Sequence, residues 1–207
     1  MATTAPKRSA PAAPKLLPWS GDDEADRLIA TDPNALLIGF VLDQQITVQQ
    51  AFLGPLIIRQ RLGTLDPNAL ARMESERVAA AFAKPPAVHR YPRSMAERVQ
   101  RLCAVLSEKY SGDASAIWRD VADAAELRRR LTELPGFGAQ KVTSVVSVLA
   151  KQFGIRPRGW ESAIASHPTL ADVTTPEELA AYQTAKRAHK AELRAQGLLP
   201  RRQARRR

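Results

Sequence analysis

Apolar residues recur at intervals of three and four along most of the chain. This spacing is typical of amphipathic α-helices and is clearest in residues 24–32, 35–60 and 94–110. Alternating apolar and polar runs, which would predict strands, are almost absent. The stretches TLDP, AKPPAVHRYPRS and IRPRG interrupt the helical segments and predict corners between helices. The sequence therefore predicts an all-α fold.

The two ends of the chain differ in composition from its middle. Residues 1–18 are rich in Pro, Ala and basic residues, which predicts a disordered arm before a helical domain at 19–185 and a basic tail at 186–207. Of the net charge of +10, residues 1–15 carry +3 and the tail +8, leaving −1 for residues 16–185. The ends thus favour a polyanionic partner, although such tails bind phosphate without identifying a target.

The chain contains a single cysteine, Cys103, and three scattered histidines. One cysteine excludes a disulfide, a multi-cysteine zinc site and a four-cysteine iron–sulfur cluster within the chain, so we expect no metal or other cofactor. Cys103 shares a helical face with Val99, Leu102 and Leu106, which predicts core packing. No apolar run is long enough for a membrane helix or a secretory signal, so we expect a cytoplasmic location without membrane contact. We also expect a monomer, which a polyanionic partner would associate with the nucleoid.

A glycine-rich loop, Leu134-Pro135-Gly136-Phe137-Gly138, joins two predicted amphipathic helices. Pro135 ends the first helix, and both glycines permit positive φ and close approach of a phosphate to the backbone. The amides that open the second helix point outward at its positive dipole end. This arrangement predicts an anion cradle, although a plain corner between two helices has the same elements.

The second helix of this hairpin presents two faces. Apolar residues predict one packing face, which comprises Val142, Val145, Val146 and Leu149. Polar residues predict a second face open to a cleft, which comprises Gln140, Ser144, Ser147 and Lys151. Phe137 at the loop tip either packs between the helices, which we favour, or touches a minor groove.

The LPGFG loop, followed by a polar pair and a Val-rich helix ending in Phe153-Gly154, resembles the helix-hairpin-helix (HhH-GPD) superfamily of base excision DNA repair glycosylases. Upstream, NALLIGFVLDQQITVQQAF resembles the early core helix of these enzymes, and the likeness covers about residues 30–165. It implies binding of double-stranded DNA by the hairpin residues Gly136, Phe137, Gly138, Gln140 and Lys141. It also implies that Gln44 and Gln45 fill the gap left by a flipped nucleotide or contact the opposing strand; the alternative is a polar helix end.

The resemblance also bears on the reaction. Members that cleave the strand carry a lysine two residues after the second hairpin glycine, where this chain has Gln140. Lys141 follows it, rotated by about 100° on a helix, and is expected to be solvated or to contact phosphate. An amide cannot form a Schiff base, so the resemblance implies hydrolysis by water without lyase activity.

The family's catalytic acid corresponds by position to Glu161, seven residues beyond Gly154. The resemblance implies that Glu161 orients water and stabilises the developing sugar cation; the alternative is an exposed glutamate in a loop. Trp160 beside it either lines a base pocket or packs over the hairpin helix. The corner at His89, Arg90 and Tyr91 either rims the cleft or holds an ordinary histidine.

Other positions depart from named branches of the superfamily. Phe40 stands where adenine glycosylases have a catalytic glutamate, Asp43 is expected to face elsewhere on the helix, and the four-cysteine cluster motif is absent. These features favour a monofunctional DNA glycosylase for a damaged or mispaired base that the sequence does not identify. A catalytically inactive DNA-binding protein of the same fold and a basic RNA-binding or ribosome-associated protein are the alternatives.

Overall fold

A computed structural model describes residues 14–197, without the side chains of residues 189, 190 and 193. In this range ten α-helices and two 3₁₀ helices form, and no strand, so the all-α prediction is confirmed. The α-helices are α1 Asp23–Thr31, α2 Pro33–Leu42, α3 Val48–Leu62, α4 Pro67–Arg72, α5 Ser75–Ala83, α6 Pro92–Tyr110, α7 Ala124–Thr132, α8 Ala139–Lys151, α9 Trp160–Ala163 and α10 Pro176–Ala195. The 3₁₀ helices are η1 Ala114–Ile117 and η2 Leu170–Asp172.

Short polar side chains fix where several helices begin. Asp32 caps α2 and Thr47 caps α3 by accepting hydrogen bonds from backbone amides in the first turn. The segment 35–60 is therefore two helices, because α2 ends at Leu42 and α3 begins at Val48. The glutamine pair lies in the connection between them, which we call the Gln turn (residues 43–47).

The centre of the core is an aromatic cluster between the N-terminal residues and helices α2 and α3. The Phe52 ring packs edge to face against Trp19 and Phe40, with ring centroids 4.9 and 5.3 Å apart. Gly39 allows this approach, since a Cβ there would lie 2.5 Å from the Phe52 ring. Phe40, at the position of the adenine glycosylases' acid, is thus a buried core residue.

Cys103 is fully buried on α6, as the helical spacing predicted. Burial raises the pKa of its thiol to about 12. The thiolate is the reactive form of cysteine, so this environment keeps Cys103 in its unreactive form and confirms its packing role.

The predicted boundaries of the arm and the tail need correction. Leu17 is fully buried and its amide donates to the Asp26 carbonyl, so residues 14–18 belong to the folded unit. At the other end, α10 crosses position 186 and ends at Ala195. Residues 1–13 and 198–207, where the rest of the arm and tail were predicted, lie outside the described residues. Within the described part of the chain, no helix has both the length and the apolar character needed to cross a bilayer.

Candidate nucleic-acid interface

Helices α7 and α8 and the loop between them form the predicted hairpin. The loop closes with a hydrogen bond of 3.1 Å from the Phe137 amide to the Leu134 carbonyl. Gly136 has φ +87°, as predicted, since a left-handed residue of this kind is best tolerated as glycine. Gly138 has φ −78° and is the N-cap of α8. Gly138 therefore does not adopt the positive φ that glycine permits, because the chain is already entering the helix there.

The start of α8 is open. Its N-cap is a glycine, so no side chain accepts a hydrogen bond from the amides of the first turn. Gly138, Ala139 and Gln140 are exposed, and a Cβ on Gly138 would meet no heavy atom within 4 Å. Unsatisfied amides and the positive end of the helix dipole therefore face open space, where an anion has access to both.

Phe137 does not share this exposure. Only 4% of its surface is accessible, and it belongs to the hydrophobic core. The favoured interpretation, that Phe137 packs between the hairpin helices, is confirmed. The Phe137 ring packs into the core, whereas Gly136 and Gly138 on either side of it are exposed.

The two predicted faces of α8 are only partly as expected. Val142, Val145, Val146 and Leu149 are buried, as their spacing predicted. On the polar face Gln140 is exposed and Lys151 is exposed but pairs with Asp172 at 2.6 Å. Ser147 is fully buried, which corrects its assignment to an open cleft. Its hydroxyl donates to the Thr143 carbonyl and accepts a hydrogen bond from the Ala165 amide at 2.9 Å.

Lys141 points into the protein. Its ammonium lies 3.5 Å from the Val41 carbonyl at the end of α2 and 5.6 Å from the centre of the Phe137 ring. Burial, reinforced by the positive charge of Arg98 and opposed by Asp43, lowers its pKa to about 8. The expectation of a solvated lysine is wrong, because α2 covers this side of the hairpin, whereas contact of Lys141 with DNA stays a prediction. The expectation that Lys141 turns away from the exposed Gln140 is confirmed.

The Gln turn lies beside the hairpin. The Gln44 side chain is half-buried and used internally, because its amide donates to the Val41 carbonyl at 2.6 Å and its oxygen accepts from Arg98 at 2.6 Å. Gln45 is exposed and has φ +59°, a conformation that non-glycine residues seldom adopt. The two glutamines therefore differ in the structure, because the Gln44 side chain is used internally and the Gln45 side chain is open to solvent.

Asp43 ends α2 as its C-cap residue rather than as part of the helix. Its carboxylate opposes the loss of charge at Lys141 on α8. Burial also lowers the pKa of Lys186 on α10, but the interactions of Lys186 with Asp43 and Tyr182 are together larger, so its pKa is raised. Asp43 thus gives the end of α2 a negative charge that attracts lysines from two other helices.

His89 holds the backbone of the Gln turn through a hydrogen bond to Gln44. It is 2% exposed, its Nδ1 accepts a hydrogen bond from the Tyr91 amide at 3.0 Å, and its Nε2 lies 2.9 Å from the Gln44 carbonyl oxygen. Nδ1 must be unprotonated to accept, so Nε2 carries the proton and donates to Gln44. Burial, with the charges of Arg90 and Arg98, lowers the His89 pKa. The corner at His89, Arg90 and Tyr91 therefore includes a neutral histidine that holds the turn.

Glu161 and Trp160 begin the short helix α9. Glu161 is exposed and makes no hydrogen bond or ion pair with any described residue. Trp160 is half-buried, and the Arg156 guanidinium lies 4.9 Å from its ring centre. A shallow depression of about 350 Å³ lies beside α9, but neither Trp160 nor Glu161 lines it. In the described structure these two residues therefore do not form an enclosed base pocket.

Helix α9 lies on the side of α8 away from Lys141. Arg128 bonds both Thr143 on α8 and the Ala163 carbonyl on α9, each at 3.1 Å. Thr143 is two residues after Lys141 and is therefore rotated by about 200° around α8. The structure thus places Glu161 and the Lys141 contact on different sides of the hairpin helix.

Sequence reasoning missed Arg98 and the pairing of His89 with the Gln turn. Arg98 is one of several arginines on α6, and His89 follows a proline-rich corner, so neither has a local signal. Both contact Gln44 from 54 and 45 residues away. Only the tertiary fold brings these residues together.

Among residues 14–197 no group of three or more His, Cys, Asp and Glu side chains is arranged to hold a metal ion. Comparison of the chain with protein-family models, with curated proteins and with solved structures found no match. The residues and their geometry are therefore the basis for assigning a function.

Proposed function

We propose that this protein binds double-stranded DNA through its helix hairpin and acts in base excision repair as a monofunctional DNA glycosylase of the helix-hairpin-helix superfamily. The observation that carries the proposal is the open start of α8, where Gly136, Gly138, Ala139 and Gln140 are exposed and no side chain caps the helix. The exposed Gln45 on the neighbouring turn is a second candidate contact.

A DNA phosphate suits the chemistry of this helix start. Its oxygens accept hydrogen bonds from backbone amides, and its charge interacts favourably with the positive end of the helix dipole. Residues 16–185 carry a net charge of −1, so a contact here depends on local geometry rather than on overall attraction. Such contacts fix the position of a protein on the duplex without reading sequence.

Gly138→Ala is the sharpest test of backbone binding. The added methyl group fits the φ of −78° and meets no protein atom, so the fold should be unchanged. It occupies the space through which a phosphate would approach the amides of α8. We expect duplex affinity to fall about tenfold, the loss of roughly one charge-assisted hydrogen bond, in a fluorescence anisotropy titration.

Gly63→Ala serves as the control for stability. Gly63 ends α3 with φ +81° and open space around its Cβ position, so alanine adds backbone strain outside the hairpin. We expect a lower melting temperature with unchanged DNA affinity. Gly136→Ala is less informative, because it combines φ strain with a contact of 3.1 Å to Arg98. A folded Gly138→Ala variant that binds duplex as well as the parent would contradict the proposed interface.

The glycosylase step is proposed for Glu161. Its carboxylate is exposed and makes no hydrogen bond or ion pair with a described residue. It is therefore available to orient a water molecule and to stabilise positive charge on the sugar. The water oxygen bonds to C1′ of the deoxyribose as the bond from C1′ to the base nitrogen breaks, and the base leaves with a proton. A panel of lesion-bearing duplexes, with alkali to cleave abasic products, tests for this activity.

A DNA-binding protein without catalysis is the second candidate. The exposure of Glu161 favours it, since electrostatic catalysis works best in a site partly closed to water. The two candidates differ in one measurement. Binding of duplex without release of any base across the panel supports the second, whereas base release with retained strands supports the first.

A further inference from the structure

Arg98 lies between the hairpin and the Gln turn and contacts both. Its Nη1 donates a 2.6 Å hydrogen bond to the Gln44 side-chain oxygen. Its Cδ lies 3.1 Å from the position that a Cβ on Gly136 would occupy. One side chain from α6 therefore touches the Gly-rich loop with its aliphatic part and the Gln turn with its charged end.

Gln44 transmits this contact to its neighbour. Both ends of its side chain and its backbone carbonyl are occupied by Val41, Arg98 and His89. On the other side of the turn, Thr47 caps α3 and Val48 is buried. Gln45 is thus held between two anchored segments while its own side chain makes no hydrogen bond with a described residue.

The backbone of Gln45 needs such support. A left-handed φ of +59° on a non-glycine residue persists only where surrounding contacts fix it. Losing Arg98 would leave the Gln44 oxygen without its charged donor, which is the stronger class of hydrogen bond. The turn could then relax to a commoner backbone conformation, and the Gln45 side chain would change direction relative to the hairpin.

We propose that Arg98 is a positioning residue, which sets the Gln turn against the hairpin so that Gln45 contacts DNA held at the start of α8. The inference rests on the proposed DNA binding. It assigns Gln44 and Arg98 to support and Gln45 to contact, a division that neither the charges nor the spacing along the chain indicates. Arg98 acts through Gln45 rather than by binding phosphate itself.

A double-mutant cycle separates these two roles. Affinity is measured for a short duplex that carries an abasic-site analogue, since an opened base stack gives a polar side chain room to enter. Gln45→Ala removes the contact, and Arg98→Met removes the donor while keeping an apolar chain near Gly136. We expect each single variant to weaken binding about fivefold to tenfold. The double variant should bind about as tightly as the weaker of the two single variants.

Two further variants make the test specific. Gln44→Met keeps the length of the side chain but loses both of its hydrogen bonds, so it should weaken binding as Arg98→Met does and again show no added effect with Gln45→Ala. Arg101→Met is the matched control, because it removes the same charge from α6 at an exposed residue that pairs with Glu97. It should leave affinity within about twofold of the parent.

The outcomes distinguish this inference from the proposed function. If the parent protein does not bind the duplex, the proposed function fails. If the parent binds and the losses from Gln45→Ala and Arg98→Met add, Arg98 contacts DNA independently and the inference is overturned. Unchanged affinity of Gln45→Ala also overturns it. Should Arg98→Met fail to fold by circular dichroism, the Gln44→Met and Gln45→Ala pair tests the coupling through the Gln turn, and losses that add in this pair would overturn the inference.

Discussion

The ammonium of Lys141 lies 3.5 Å from the carbonyl oxygen of Val41, which also accepts a 2.6 Å hydrogen bond from Gln44. Val41 is in the last turn of α2, where unpaired carbonyls and the negative end of the helix dipole favour a positive charge. Lys141 thereby connects the hairpin helix directly to the end of α2. Arg98 makes a second connection nearby, because it hydrogen-bonds Gln44. The Gln turn follows this point of contact.

The burial of Lys141 predicts a specific dependence of stability on pH. Its pKa in the folded protein is about 8, against 10.5 for an ordinary lysine. Between these values the unfolded chain binds more protons than the folded one, so this residue makes the unfolding free energy rise with pH. The penalty for burying the charge is full below pH 8 and disappears toward pH 10.5.

We therefore expect the parent to gain stability relative to Lys141→Met between about pH 8 and pH 10.5. Urea unfolding of both proteins at several pH values across this range measures the difference. Lys84→Met, at an exposed residue after α5, is the control for replacing a lysine by methionine. A constant offset between the parent and Lys141→Met across this range would contradict the prediction.

The position of Lys141 also predicts the absence of a covalent intermediate. The exposed hairpin position carries Gln140, which cannot form an imine, and the amine of Lys141 is directed at Val41 under α2. We expect no adduct when the protein and abasic DNA are treated with borohydride. A trapped adduct that disappears in Lys141→Met would show that the hairpin helix changes its packing on DNA and that the protein has lyase activity.

The fold could be predicted where periodicity decides it. The buried face of α8 follows from apolar residues at helical spacing, and the Gly136 turn follows from its loop chemistry. Ser147 was misassigned because spacing identifies the apolar face but does not show what covers the polar one. The segment that follows α9 reaches it, since the Ala165 amide donates a hydrogen bond to the serine hydroxyl.

The Gln turn shows why the candidate site could be predicted only in outline. The Gln pair was found from the sequence, but the different roles of its members were not. Arg98 and His89, which occupy Gln44, are distant along the chain, and hydrogen bonds of this kind leave no periodic pattern. The left-handed backbone of Gln45 is likewise a result of tertiary contacts, since glutamine has no intrinsic preference for it.

The basic ends of the chain predict a salt effect that is separate from the hairpin. Residues 1–13 contain two basic residues and residues 198–207 contain five, with no acidic residue in either segment. Because α10 extends to Ala195, deletions at these limits leave the helices intact. We expect removal of both segments to flatten the slope of log K against log salt, by about 0.9 for each DNA phosphate that is no longer neutralised.

Hairpin binding should survive the same deletions. Gly138→Ala should weaken the truncated protein by the same factor as the full chain, since the two contributions are independent. Titrations at several salt concentrations provide both quantities. An unchanged slope after truncation would show that the basic ends do not contact DNA.

The last prediction concerns Glu161, on which the proposed chemistry depends. Glu161→Gln keeps the size and hydrogen-bonding capacity of the side chain but removes its charge. If the carboxylate stabilises the sugar cation, single-turnover base release should fall by roughly a hundredfold. Duplex affinity should not fall, because the change removes a negative charge from an exposed residue and so adds no repulsion toward phosphates. Loss of rate with retained affinity is the pattern of a group that acts in the transition state.

Glu177→Gln is the matched control, because it removes the same charge from an exposed glutamate in the first turn of α10. It should leave the rate unchanged. Glu161→Asp tests the geometry, since a carboxylate drawn back by one methylene lies about 1 Å or more from its original position, and an error of this size can cost about a hundredfold in rate. An aspartate that restores the parent rate would show a site tolerant of position. Equal rates for the parent and Glu161→Gln would show that the Glu161 carboxylate is an ordinary surface group of α9 and has no part in the reaction.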